Sequence, residues 1–235
     1  MKVIKDEKLI KRNGKIGEYT LYATLGLFGL ALFLSFEYAS RTDLFTWSLI
    51  CMTLGIFLSQ ISMHFTTRWG RSPRPDERLD SGLKGLPNED VIYHYVTPVS
   101  HLYIGGAGIW VLHPLPQRGH VTYQKNRWKL SGGGFVQGYL SIFGQERLGR
   151  PDLEIESEVD TIKRYLLKKL DNPGDIPING ALVFTNDLVE IEPNDTPIPA
   201  LKLKQLKEFM RQKSREKSSP TLMVEKIKGL LGDGQ

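Results

Sequence analysis

Residues 100–119 read SHLYIGGAGIWVLHPLPQRG. Two β-type runs, Leu102 to Ile104 and Ile109 to Leu112, flank Gly105, Gly106 and Gly108, which predicts a tight hairpin whose glycines take positive φ at the turn. The glycines do not form a phosphate loop, because no Gly-Lys-Ser/Thr follows them and no helix starts there. A further β-rich run, Val91 to Val96, lies before this stretch and another, Val121 to Tyr123, after it, each bounded by turn residues. These runs place a sheet at the centre of the chain.

Helical patterns surround the strands. Asp76 to Leu86 carries Leu79, Leu83 and Leu86 at helical spacing. Leu153 to Leu170 is amphipathic, with Ile155, Val159, Ile162, Leu166, Leu167 and Leu170 on one face and acids in its first turns, where the helix dipole favours them. Gly180 to Thr185 and Leu188 to Ile191 read as a closing hairpin around Asn186-Asp187. Leu201 to Lys217 reads as a basic helix, and the stretch opening with SGGGF at 131–135 as an irregular excursion. Strands alternating with helices predict an α/β fold with a mixed central sheet over residues 76–200, followed by a basic amphipathic helix and tail at 201–235.

The N-terminal part is different in kind. Tyr19 to Phe36 is uncharged for 18 residues and Leu44 to Phe65 for 22, and about 20 apolar residues suffice to cross a bilayer. Residues 19–65 are therefore read as two transmembrane helices, an antiparallel hairpin joined by the short link Glu37 to Asp43. A second apolar run so soon after the first argues against a cleaved signal peptide, as does the length of the first run. Residues 1–18 form a basic N-terminus and 66–75 a linker rich in Pro, Gly and charge. Six Lys/Arg precede the first helix, Arg68, Arg71, Arg74, Arg78 and Lys84 follow the second, and the link holds only Arg41, so both ends are expected in the cytoplasm. Tyr19, Tyr22, Trp47 and Trp69 sit where interfacial aromatics are found, and Gly26 with Gly29 is a candidate point of close helix approach.

Composition narrows the function classes. The net charge of +5 over 235 residues is modest, and residues 66–235 hold 24 basic against 21 acidic side chains, less imbalance than a dedicated nucleic-acid-binding domain shows. The single cysteine, Cys51, excludes an intramolecular disulfide and a multi-cysteine zinc site, and is read as a small buried hydrophobe. In the last basic helix Lys202, Lys204, Lys207, Arg211, Lys213 and Arg215 are candidate contacts for anionic lipid or for nucleic-acid phosphate.

The order helix, three strands, helix, strand pair, helix, together with particular residues, resembles the nuclease-related domain, or NERD, family. The likeness begins near Glu77 and runs through SHLYIGGAGIWVLHPLPQRG to Trp128. It continues in RPDLEIESEVDTIKRYL at 150–166, similar to the family's Asn-Pro-Leu-x-Gln helix start, in GALVFTNDLVEI at 180–191, and in Leu206 to Met210. The resemblance implies a restriction-endonuclease-like α/β fold and a bacterial or archaeal plasma-membrane protein. Such nucleases hydrolyse phosphodiesters with Mg²⁺ held by an Asp on one strand and a Glu-x-Lys on the next. Carried across, the Asp falls on Ser100 and the Glu-x-Lys on His113 and Leu115, Arg150 stands at the Asn and Glu156 near the Gln, and only Glu77 or Asp80 survives as the early helix acid.

The expected function is thus a membrane-anchored, catalytically silent binding or scaffolding module without cofactor. The alternative is a Mg²⁺-dependent nuclease whose carboxylates have moved, with Asp152, Glu154, Glu156 and Glu158 as the acids at hand. His101, His113 and His120 lie near strand ends and a turn, and are weighed as a histidine metal cluster against the simpler reading that His113 fills a vacated pocket.

Overall fold

The structure is a computed structural model and describes residues 1–37, 43–132, 148–170, 176–192, 196–216 and 221–232. It divides into two compact units, Met1–Asp6 with Pro75–Gln235, and Glu7–Arg74.

The second unit consists of helix α1 (Glu7–Glu37), helix α2 (Asp43–Phe65) and a wide helical turn at Thr66–Gly70. Both helices are long and apolar enough to cross a membrane. Leu25, Phe33, Trp47 and Phe57 on these helices are all more than half exposed. The contact between the two helices is polar and small. Ser48 donates to the Ala31 carbonyl at 2.9 Å and Ser62 to the Gly17 carbonyl at 3.1 Å. Side chains added at Gly17 or Gly55 would collide with Thr66 and Phe65, or with the Phe28 ring. Gly26 and Gly29 meet nothing within 4 Å, so the close approach falls at Gly17 and Gly55 instead. Cys51 is half-buried rather than buried.

In the other unit, among the described residues, nine strands form two sheets. The larger contains β1 (Lys2–Lys5), β2 (Val91–His94), β3 (His101–Gly105), β4 (Gly108–Leu115), β7 (Ile178–Phe184) and β9 (Ala200–Lys202), in that spatial order. β2, β3 and β4 are an antiparallel meander, while β1 joins β2, β7 joins β4 and β9 joins β7 in parallel. The smaller sheet has the order β6 (Arg127–Ser131), β5 (Gly119–Gln124), β8 (Val189–Ile191). Helix α3 (Pro75–Leu83) precedes the meander, α4 (Pro151–Lys169) precedes β7, and α5 (Leu203–Arg215) and α6 (Thr221–Leu231) follow β9.

Alternation along the strands builds two cores. Val111 and Leu115 of β4, with Leu102, Ile104, Leu182 and Phe184, pack toward Ile155, Ile162 and Leu166 of α4. Trp110 and Leu112 of β4, with Ile92, Tyr103 and Val183, pack toward Leu79 and Leu83 of α3 and Leu206 and Met210 of α5. The chain is a mixed α/β fold with a mixed sheet, as the sequence predicts.

Several details differ from the sequence reading. The basic N-terminus contributes a strand and the first turns of α1, which begins at Glu7 and not at Tyr19. Residues 180–191 are not a hairpin: β7 lies in the large sheet and β8 in the small one, with the Asn186 side chain accepting the Leu188 N–H at 3.0 Å where the chain changes sheet. On α4, Leu167 is 39% exposed and does not share the buried face. The excursion at 131–135 falls largely outside the described residues. In the β3–β4 turn only Gly108 takes positive φ, at +97°. Gly105 is required by crowding, since a Cβ there would strike the Asp90 carboxylate and the Tyr103 hydroxyl. Asp90 accepts the Gly106 N–H at 3.0 Å, and burial together with this carboxylate raises the Tyr103 phenol far above the usual tyrosine range.

Gly105→Ala is therefore expected to cost about 1–3 kcal/mol by overpacking the Asp90–Tyr103 contact. Gly229→Ala, in open space on α6, is expected to gain up to about 1 kcal/mol. Thermal unfolding of the two variants in an uncharged detergent measures both.

Candidate functional site

The residues matched to nuclease positions lie at the ends of β3 and β4. Leu102 pairs with Val111, and continuing this register sets Ser100, just before β3, opposite His113. The Ser100 carbonyl accepts the Tyr95 N–H at 2.9 Å. The His113 ring sits between two glutamates one turn apart on α4, with Nε2 3.5 Å from Glu154 and Nδ1 3.4 Å from Glu158. Leu115 is buried, and its carbonyl accepts the N–H and hydroxyl of Thr185 at 2.8 and 3.3 Å, which ties the end of β4 to the end of β7. Arg78 of α3 donates to the Thr185 carbonyl at 2.9 Å, adding a third element to this knot. At the start of α4 the Arg150 side chain bonds Asp152 at 2.8 Å, and the guanidinium holds that carboxyl below its usual range; Glu156 is exposed.

The acids of α3 belong to a different cluster on the opposite face of the sheet. Glu77 is half-buried in the first turn, but Asp76 is fully buried and Asp80 partly so. The Lys5 ammonium, carried in by β1, donates to Asp76 at 3.0 Å and to Asp80 at 2.5 Å. Asp80 meets His94 Nε2 at 2.9 Å with its other oxygen, and His94 Nδ1 lies 2.7 Å from His101 Nδ1. Both rings are buried, and the two residues face each other across β2 and β3. Burial opposes the charge on Asp80, yet the bonds from His94 and Lys5 outweigh it and hold the carboxyl below 3.8. An ionised Asp80 can only accept, so His94 Nε2 donates to it, and one hydrogen lies between the two Nδ1 atoms. Burial likewise opposes the Lys5 charge, and its two carboxylates outweigh that effect and hold the ammonium above 10.5.

The sequence signals for this cluster were slight. Lys5 was one charge in a basic tail, and only the strand register explains why His94 and His101 meet. His101, His113 and His120 do not gather: the first meets His94, the second Glu154 and Glu158, and the third Glu192 at 3.3 Å. Among the described residues no group of three or more His, Cys, Asp or Glu is arranged to hold a metal ion.

The basic residues near the C-terminus are dispersed. Lys202 ends β9, and its N–H is capped by Gln205 at 3.0 Å. Lys204 pairs with Asp187 at 3.0 Å, and Lys213 with Glu216 at 2.7 Å. Arg211 donates to the Gly85 carbonyl at 3.2 Å and lies 3.9 Å from Glu208. Lys207 is half-buried and Arg215 exposed. Interspersed acids thus offset much of the positive field that lipid or phosphate would meet.

No family model matches the chain, nor does any curated protein or solved structure.

The stability contributed by the cluster has a defined pH window. The depressed Asp80 contributes above the ordinary carboxylate value of 3.8 and loses this as pH falls through its folded value; the raised Lys5 contributes below 10.5 and loses it as pH rises through its own. Lys5→Met removes the ammonium shared by Asp76 and Asp80 and is expected to cost about 3–5 kcal/mol at neutral pH. The variant should regain stability on acidification, where protonation relieves the buried charge, whereas the wild type should not. Denaturant midpoints between pH 4 and 8 test both.

Proposed function

We propose that this chain is a membrane-anchored module of the nuclease-related, restriction-endonuclease-like type that has lost catalysis and acts as a binding or scaffolding unit at the cytoplasmic face of a prokaryotic plasma membrane. The observation that carries the reading is that its acids are already engaged by other side chains. Asp76 and Asp80 share the Lys5 ammonium, and Glu154 and Glu158 flank the His113 ring. Metal-dependent hydrolysis needs carboxylates available to a cation, with a charged group near the phosphate, and the matched positions Ser100 and Leu115 supply neither.

The element order supports the fold part of this reading. A helix, an antiparallel three-stranded meander, a second helix and a strand parallel to the meander's third strand occur in that order as α3, β2–β4, α4 and β7, with β5 and β6 of the small sheet between β4 and α4. The anchoring part is supported by connectivity. β1 before the apolar hairpin and α3 after it belong to one folded unit, and Lys5 bonds Asp76 and Asp80 within that unit. A segment whose two ends are joined in this way returns to the side of the membrane that it left. The lysines and arginines flanking the hairpin favour the cytoplasmic side.

One observation favours a second reading, a nuclease with displaced carboxylates: Glu154 and Glu158 do converge beside His113. Incubating the purified full chain with duplex and single-stranded DNA, in Mg²⁺ and in Mn²⁺, decides between them. No metal-dependent cleavage is expected. Cleavage abolished by Glu154→Gln, Glu158→Gln or Glu77→Ala would replace the first reading with the second.

A further inference from the structure

Helix α1 starts well before its uncharged stretch. Glu7 to Glu18 is helical and precedes the run that opens at Tyr19, so the first turns of the helix stand outside the apolar span. Lys8, Lys11, Arg12 and Lys15 lie in these turns at spacings of three and four residues, which puts them within an arc of about 100° on one face. All four are exposed, and their side chains have no ion-pair or hydrogen-bond partner among the described residues. Ile10, Asn13 and Gly17, on the opposite face, are buried. Glu7 and Glu18 stand at the border of the stripe, one at each end, and Glu18 accepts the Tyr22 hydroxyl at 3.3 Å.

Two further observations tie this stripe to a bilayer surface. It runs directly into Tyr19 and Tyr22, both exposed on the same face at the head of the uncharged run, where interfacial tyrosines are found. The helical turn Thr66–Gly70 packs on α1 here, since a Cβ on Gly17 would strike Thr66 and one on Gly14 would come within 3.4 Å of the Trp69 carbonyl. That packing brings two more cations to the same end of the hairpin: Arg71, which is exposed, and Arg68, whose guanidinium lies 5.0 Å from the centre of the Trp69 ring. At about 1.5 Å per residue, Lys15 stands about 6 Å and Lys11 about 12 Å along the axis from Tyr19. Headgroups occupy about 5–8 Å beyond the hydrocarbon, and long cationic side chains reach back toward that layer.

We propose that this face of α1 binds the phosphates of anionic phospholipids in the leaflet where the hairpin begins, with Lys11, Arg12 and Lys15 as the principal contacts. The proposal rests on the reading of α1 and α2 as a membrane anchor and goes beyond it, because cations that only orient a hairpin during insertion carry no lipid preference afterwards. Four cations spread over about 10 Å of exposed helix enclose no pocket for one soluble phosphate, whereas an anionic bilayer surface presents charge along the whole stripe.

Two experiments separate the anchor from the lipid preference. In cells expressing the full chain, the protein is expected to stay in alkali-washed membranes; recovery as soluble protein would overturn both the anchor and this proposal. The purified full chain in dodecyl maltoside is then incubated with equal amounts of phosphatidylglycerol and phosphatidylcholine and repurified, and the bound lipids are counted by mass spectrometry of the extract. Phosphatidylglycerol should be retained at least tenfold over phosphatidylcholine, and the preference should fall at high salt. Lys11→Gln, Arg12→Gln and Lys15→Gln combined should abolish it. Removing the same charge from the β5–β6 hairpin, with Lys125→Gln, Arg127→Gln and Lys129→Gln, should leave it intact. Lys15→Gln alone should lower it about threefold, which keeps the test decisive if the triple α1 variant misfolds. Glycerol phosphate in large excess should not displace the lipid. Equal retention of the two lipids, a preference unchanged in Lys15→Gln or in the folded triple α1 variant, its loss in the β5–β6 variant, or displacement by glycerol phosphate would overturn the proposal.

Discussion

Strand β4 is the constraint on which the rest of the α/β unit depends. It pairs antiparallel with β3 on one side and parallel with β7 on the other, over seven residue pairs from Ile109 to Leu115. A parallel partner cannot be reached by a tight turn, so the chain must leave the sheet and return, and α4 lies on that return path. The alternation of β4 then assigns every neighbour. Val111 and His113 face α4, while Trp110 and Leu112 face α3 and α5. A slip of one residue would bury His113 among the α3 leucines and carry Leu112 to the glutamates of α4, which explains why this strand tolerates one register.

Much of this was legible in the residues. The strands around 91–96, 102–104, 109–112 and 121–123 declare themselves by β-branched and aromatic content, and α4 by its spacing of Ile155, Ile162 and Leu166. What escaped were the short strands β1, β6 and β9, three to five residues each and rich in charge, whose pairing is set by neighbours distant in sequence. The error at 180–191 has the same origin. A turn sequence shows that the chain bends at Asn186, but not whether the two arms pair with each other or with different sheets.

The candidate site was less legible than the fold. Single positions such as Ser100 and His113 were found by likeness, and the structure sets them near one another at the ends of adjacent strands. The chain Asp76, Lys5, Asp80, His94, His101 was not found, because it joins β1, α3, β2 and β3 through side chains spread over nearly a hundred residues. Buried ions of this kind add little net stability over an apolar replacement. Their effect is on uniqueness: if β1 shifts by one residue along β2, Lys5 points to the other face and its ammonium leaves the carboxylates.

The position of β1 also bears on the order in which the molecule can form during synthesis. Lys2 pairs with Val91, so β1 must wait while both apolar helices and α3 are translated before its partner exists. At about 5–20 residues per second that interval is roughly 4–18 s, long compared with helix formation or hydrophobic collapse. During it the strand has no sheet to join. The pairing of β1 with β2 therefore closes only after α1 and α2 have been made, and the loop that it closes contains both of those helices.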